Sequence, residues 1–368
     1  MGLLDHYKQF EELSDGEVTS GLRVDADERR RKALARVPPL DLARTTWPAL
    51  PPSDIVNAIT FAARRGLHDY LDSASELRSE LAHRHAVAAE RIVIGDGAAQ
   101  LLVAAAHALM LPDDELVTPW PSYPLYPVMA RQARGSAVPV PGFSIDSVLA
   151  AVNDRTRIIA ICNPNDPTGE LLPVSEIDRL LTTVPERVVV LLDESLRDFV
   201  DREERDAAIQ LSERHPRLLC FRTFSKAWGL AGLRCGYAIG GHGSDQLLLE
   251  LSPPTGIGEL ANAGVLEALR SGERVLRRRL AAVSDERARL TAALRELPID
   301  VTPSQANFLW IAAQQIDGAE LTSRLARAGI AVRGGGPLGD PRSVRVQLHD
   351  APATDRFLRS LAQALSQG

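Results

Sequence analysis

The chain has 368 residues, 45% of them hydrophobic and 24% charged, with a formal net charge of -6 and a pI near 5.8. That is length enough for one large domain plus a smaller one, or two comparable ones, and its acids and bases are interspersed, with no basic block to track a nucleic-acid backbone. No apolar run approaches the roughly eighteen residues of a membrane span, and the charged start MGLLDHYKQFEELSDGE resembles no secretory signal, so a cytoplasmic protein without nucleic-acid or membrane partners is expected.

The first forty or so residues are charged and helical in pattern and are expected to join a second lobe or a partner subunit, with VPPL and WPALPPSD marking the crossing. Short runs rich in β-branched residues follow: RIVIGDG (91–97), DELVTP (114–119), RTRIIAICNP (155–164), RVVVLLDES (187–195), RLLCFRTFS (217–225) and CGYAIG (235–240). Helical patterns such as AAQLLVAAAHALM (98–110) and PVSEIDRLLTTV (173–184) lie between most of them. This alternation predicts an α/β fold of βα units around a mainly parallel sheet covered on both faces. After about residue 255 the pattern changes to a long charged helix over 272–297 and the strands NFLWIA and SVRVQL with the helix GAELTSRLARAG between them. The expected organisation is a large domain over 45–250 and a smaller α+β domain formed by 1–44 and 251–368. Cys162, Cys220 and Cys235 lie far apart without metal-ligand or CxxC spacing and read as small core residues. His68, His83, His85 and His107 read as surface or helix-face residues.

In open α/β sheets ligands bind beyond the carboxyl ends of the strands, so the residues just after the strand runs carry the functional signal. Asp193 closes VVVLLD, where a buried carboxylate is costly unless a cation or donor meets it. Lys226 follows LLCFRTFS at another strand end. GDGAAQ (95–100) is a glycine-flanked turn opening a helix, which offers backbone N–H groups to a phosphate, and NPNDPTG (163–169) is a polar turn after IIAIC. Pyridoxal phosphate uses all of these together: a lysine for a Schiff base, a carboxylate at its pyridine nitrogen, a phosphate cup and an aromatic face. A desolvated lysine at a strand end has a lowered pKa and serves as nucleophile and proton carrier.

The stretches YLD...ELRSELA, IVIGDGAAQLL, PWPSYPLYP, NPNDPTG, LLDES, TFSKAWGLAGLRCGY, SQANFLW and VRVQL resemble, in that order, motifs of fold-type I pyridoxal-phosphate enzymes, in particular the histidinol-phosphate aminotransferase branch of the class I/II aminotransferases. The resemblance covers roughly residues 45 to 350, and the block around Lys226 is its most specific part. It implies that Lys226 holds the cofactor as a Schiff base and shuttles a proton, that Asp193 pairs with the pyridinium nitrogen, and that Tyr123 stacks on the ring. Ala98 and Ala99 would bind the phosphate through backbone N–H groups, with Ser225, Arg234 and Thr223 adding hydroxyls and a guanidinium. Tyr70, in HDYLD, would reach the phosphate of a neighbouring subunit, which implies a homodimer with shared active sites. Arg345, in SVRVQL, would clamp a substrate carboxylate, and Arg333, in IAVRGGG, would contact distal substrate groups.

Three departures from the family pattern stand out. Where relatives usually read N-N-P-T-G, this chain has Asn165 followed by Asp166, so either residue is a candidate to face the cofactor's 3'-oxygen. Where they usually carry D-E-A-Y, it reads DESL, with Ser195 and Leu196. With two neutral donors missing, the phenolic oxygen would hold the imine proton more tightly. LARTTWPALPP replaces the usual segment near the substrate carboxylate, which implies a reshaped pocket and a substrate other than histidinol phosphate. Transamination of an L-amino acid or related amine with a 2-oxo acid is the expected reaction; decarboxylation, elimination or an oxidative variant is the alternative if the substrate is rotated on the ring. A non-catalytic binding shell would be expected to lack Lys226 or Asp193, and both are present.

Overall fold

The structure is a computed structural model that describes residue 24 and residues 38–68, 74–253 and 256–366. The charged helical pattern expected over the first forty residues and the candidate Tyr70 therefore lie, for the most part, outside the described residues.

Eight strands precede the change of pattern: β1 (Leu40–Asp41), β2 (Ile92–Gly95), β3 (Glu115–Trp120), β4 (Ser136–Pro141), β5 (Thr156–Cys162), β6 (Val189–Asp193), β7 (Leu218–Thr223) and β8 (Gly236–Gly240). All but β1 form one seven-stranded sheet in the order β2-β8-β7-β6-β5-β3-β4. Strands β3 to β7 are parallel, and β8 is antiparallel to both its neighbours. The parallel centre follows from its residues. Along β6, Val190 and Leu192 enter one hydrophobic core while Val189 and Leu191 enter the other; on β7, Leu218 and Cys220 pack on the first side and Leu219 and Phe221 on the second. A strand apolar on both faces is stable only when covered on both, as parallel βαβ units arrange. All three cysteines are free and buried in these cores.

The edge strand β4, SAVPVP, was not expected as a strand. Pro139 and Pro141 cannot donate to a ladder, and both are tolerated because β4 has a neighbour on one side only.

Beyond residue 256 the long charged helix expected over 272–297 is present as Glu273–Leu294, preceded by a helix that was not expected, Glu259–Ser271. They meet at Gly272, where a Cβ would lie 2.5 Å from the Ala268 carbonyl oxygen. A four-stranded sheet follows in the order β12 (Arg333–Gly334), β13 (Ser343–Gln347), β10 (Phe308–Ala313) and β9 (Ile299–Thr302), antiparallel throughout. The helix Gly318–Arg327 begins at Asp317, whose carboxylate accepts from the Glu320 amide at 2.8 Å. β1 pairs in parallel with β11 (Ile330–Ala331), and the Gln347 amide donates to the Leu42 carbonyl at 2.9 Å. The segment that follows, 42–47, is thereby fastened to the C-terminal sheet and led across the carboxyl edge of the large one. No helix among the described residues is long and apolar enough to cross a membrane.

Candidate active site

Because β3, β5, β6 and β7 are parallel, the segments leaving them emerge at one edge of the sheet. Tyr123 follows β3, Asn165 and Asp166 follow β5, Asp193 ends β6 and Lys226 follows β7. β2 points the same way, so the helix Ala98–Leu109 starts at that edge; β8 runs the other way, so Arg234 reaches the edge just before its strand begins. A cavity of about 180 Å³ there is lined by Ala98, Ala99, Tyr123, Asp166, Asp193 and Lys226, together with Thr223, Ser225 and Arg234.

Asp193 is buried and has no ion-pair partner among the described residues. Its Oδ1 accepts from the Ser195 amide at 3.0 Å and its Oδ2 from the Tyr126 hydroxyl at 3.2 Å. Burial raises its pKa, against those hydrogen bonds and the charge of Lys226. Such a carboxylate is suited to a cation brought by a ligand. Lys226 Nζ donates to the Thr45 hydroxyl. Burial pushes its amine below the ordinary 10.5; Asp166 and Asp193 pull it up and Arg345 pushes it down.

Ala98, Ala99, Thr223, Ser225 and Arg234 bring hydrogen-bond donors to the cavity. Ala98 and Ala99 open their helix, so their amides have no carbonyl one turn back to bond. Gly97, at φ 94°, leads into that helix, and a Cβ there would lie 2.7 Å from Arg234 Nη2. Arg234 itself holds the left-handed conformation, φ 50°, and its Nη1 donates to the Ser225 hydroxyl at 3.4 Å. Thr223 donates to Ser225 at 3.0 Å. Helix-start amides, two hydroxyls and a guanidinium are a donor set for a phosphate.

Tyr123 lies on the cavity wall, edge-on to Tyr126 with ring centroids 5.8 Å apart. Asn165 and Asp166 part company. The Asn165 carboxamide donates to the Pro121 carbonyl at 3.0 Å and to Thr168 at 2.9 Å and accepts from Ser122 at 2.8 Å, so it is used up in holding the loop, and it is not among the lining residues. The cavity-facing position belongs to Asp166, whose carboxylate is bound by Arg345. Arg345 and Arg333 line an adjoining outer cavity of about 630 Å³, and Tyr123 and Asp166 form the wall shared by the two. Leu196 packs against the inner cavity, buried, beside Ser195.

Sequence reasoning missed Tyr126, Thr45 and Thr46. Tyr126 is three residues after Tyr123 in one tight turn and helix, a spacing that puts both rings on one side. Thr45 and Thr46 are placed by long-range bonds: Asn307 Nδ2 donates to the Thr45 carbonyl at 2.9 Å, and Gln347 Nε2 to that of Thr46 at 2.5 Å. Of the histidines read as surface or helix-face residues, His85 ends the helix Ala74–His85 on its buried side, bonded to Tyr237 at 2.9 Å and to Asp206 at 3.1 Å.

The family model for aminotransferase class I and II matches residues 39–361. The chain belongs to that family and is an aminotransferase of the α/β fold-type I architecture. It is 35% identical over 321 residues to an aromatic amino acid aminotransferase of Corynebacterium efficiens, covering 85% of this chain and 89% of the relative. It is 34% identical over 295 residues to a histidinol-phosphate aminotransferase of Nitrosococcus oceani, covering 79% of each. The crystal structure of histidinol-phosphate aminotransferase from Sinorhizobium meliloti in complex with pyridoxal-5'-phosphate shares the fold, with a TM-score of 0.80 at 24% identity over 92% of this chain and 94% of that one.

Proposed function

We propose that the chain takes pyridoxal phosphate as its cofactor and moves an amino group between an amino acid or related amine and a 2-oxo acid. The observation that carries this reading is the meeting at one sheet edge of a desolvated lysine amine, a buried carboxylate and helix-start amides faced by a guanidinium, the carboxylate without a counter-ion and the amides without an acceptor among the described residues.

The cofactor, when bound, supplies an electron sink for the bonds of the substrate's reacting carbon. Lys226 would hold it through Nζ and, when freed, carry a proton at that atom to and from the substrate, with the Thr45 hydroxyl keeping the amine aimed. Asp193 would hold the proton of the ring nitrogen, and Tyr126 and Ser195 would keep that carboxylate oriented. Tyr123 would cover the ring face. The amides of Ala98 and Ala99 with Thr223, Ser225 and Arg234 would bind the phosphate, and Arg345 and Arg333 would set the substrate side.

A homodimer is part of this reading. The resemblance gives Tyr70 the phosphate of a neighbouring subunit, and Leu50, Phe61 and Leu67, earlier in the chain, are apolar side chains 88%, 61% and 72% exposed.

The test is product analysis with the purified holoenzyme, a panel of amines and 2-oxoglutarate. Appearance of glutamate together with the oxo form of the amine is expected. Release of carbon dioxide or free ammonia with no glutamate would refute amino transfer.

A further inference from the structure

The carboxylate that meets Arg345 is the chain's own. Arg345 on β13 lies directly across from Arg333 on β12, so both side chains leave the sheet on the same face. They line the outer cavity with Arg44, Asp41 and Asp166. Arg44 is engaged by Asp41 at 2.8 Å, and Arg345 Nη1 by Asp166 Oδ1 in a buried ion pair. Arg345 Nη2 donates to the Ala43 carbonyl at 3.2 Å, while its Nε is buried without a hydrogen-bond partner among the described residues. Arg333 is exposed at the rim.

A guanidinium clamps a carboxylate with two parallel N–H groups. Nη1 of Arg345 is paired with Asp166 and Nη2 with the Ala43 carbonyl, so a carboxylate that takes both terminal nitrogens in the forked geometry competes with Asp166 for the guanidinium. That leaves a buried anion without its cation, or places two carboxylates on one guanidinium, and both are unfavourable. A hydroxyl or carbonyl oxygen brings no charge to the guanidinium and leaves its pair with Asp166 intact. Asp166 also lines the inner cavity, so its charge stands between the cofactor lysine and the substrate chamber.

We propose that Asp166 is a specificity residue: it occupies the carboxylate subsite of Arg345 and turns the enzyme toward partners whose group at that position is neutral. The proposal rests on the reading of Lys226 as the cofactor lysine. The preferred amine then bears a hydroxymethyl or similar uncharged group on its reacting carbon. A 2-oxo acid binds by exchange with Asp166 and is held weakly.

The test begins with the visible absorbance of the holoenzyme, which must depend on Lys226, and continues with calorimetric titration by maleate, a dicarboxylate with no amine to react. Asp166→Asn and Asp166→Ala should each bind maleate at least about tenfold tighter than the wild type, and Arg345→Gln added to Asp166→Asn should abolish the gain. In single-turnover reactions the wild type should consume L-phenylalaninol faster than L-phenylalanine at equal low concentration, with the order reversed in Asp166→Asn. Maleate binding that is unchanged or weaker in both variants with the absorbance retained, or a wild type that prefers the amino acid, would overturn the proposal and leave the cofactor reading standing. Absence of any Lys226-dependent absorbance would overturn the cofactor reading and the proposal with it.

Discussion

Tyr126 donates its hydroxyl hydrogen to Oδ2 of Asp193 across 3.2 Å, from a ring that is itself fully buried in the core beneath the site. Burial, and then the Asp193 charge, raise the phenol's pKa well above its ordinary value, so it stays a donor at every working pH. Tyr126→Phe removes one of the two hydrogen bonds seen on that carboxylate and keeps the ring. A net loss of about 1 kcal/mol is expected, which is roughly fivefold weaker cofactor affinity. Equilibrium dialysis of the cofactor from wild type and variant checks it; unchanged affinity would show that the Ser195 amide alone orients Asp193.

The depressed Lys226 amine has a consequence for rate against pH. In the protein without cofactor, the neutral, nucleophilic fraction of Lys226 grows as pH rises toward its pKa, which burial places below the ordinary 10.5. Covalent capture of pyridoxal phosphate by the cofactor-free enzyme should therefore accelerate with pH and level off below pH 10.5, as measured by stopped-flow absorbance. Thr45→Val removes the hydroxyl that receives Nζ and should slow capture while leaving the unfolding midpoint close to that of the wild type.

Stability against pH should report His85. Burial holds its imidazole below the ordinary 6.5, in spite of the hydrogen bond to Asp206, so the folded state keeps it neutral where the unfolded chain would protonate. More protons bound by the unfolded chain means that stability rises with pH in that window. The His85 contribution is thus fully present above pH 6.5 and is lost as pH falls below it. Urea midpoints across pH 5 to 7.5 should slope less in His85→Gln than in the wild type; equal slopes would assign the acid sensitivity to other groups.

Arg222 joins buried Glu194 at 2.8 Å and Asp206 at 2.6 Å beneath the same sheet edge. Removing one member of a buried pair leaves an uncompensated charge, so Arg222→Met should cost about 3–5 kcal/mol of unfolding free energy, measured in urea. A loss under about 1 kcal/mol would mean that Arg197, 3.5 Å from Glu194, takes over the charge.

The central sheet was legible because its strands are short and apolar on both faces: β2 and β5 to β8 fall within runs visible in the sequence, and β3 runs one residue past the end of its own. β4 was hidden by Pro139 and Pro141, which read as turn residues until its edge position is known. The reversal of β8 is a long-range pairing that leaves no local signal. At the site, residues just beyond strands, Asp193 and Lys226 above all, could be picked from pattern and motif. Thr45 could not, since only the pairing of β1 with β11 and the bonds from Asn307 and Gln347 bring it to the lysine. The ion pair of Asp166 with Arg345 joins positions 179 apart in sequence and was equally invisible there. One unused signal was composition: the sequence contains three lysines, Lys8, Lys32 and Lys226, against a background of arginine, and of these only Lys226 falls among the described residues, buried at the sheet edge.

That scarcity makes the most direct measurement simple. The holoenzyme is reduced with borohydride, digested and analysed by mass spectrometry for the peptide that carries the pyridoxyl phosphate mass. A single modified peptide containing TFSKAWGL is expected, with the label on Lys226 and none formed in Lys226→Ala. Label on Lys8 or Lys32 with Lys226 unmodified, or a cofactor that reduction leaves unattached, would contradict it.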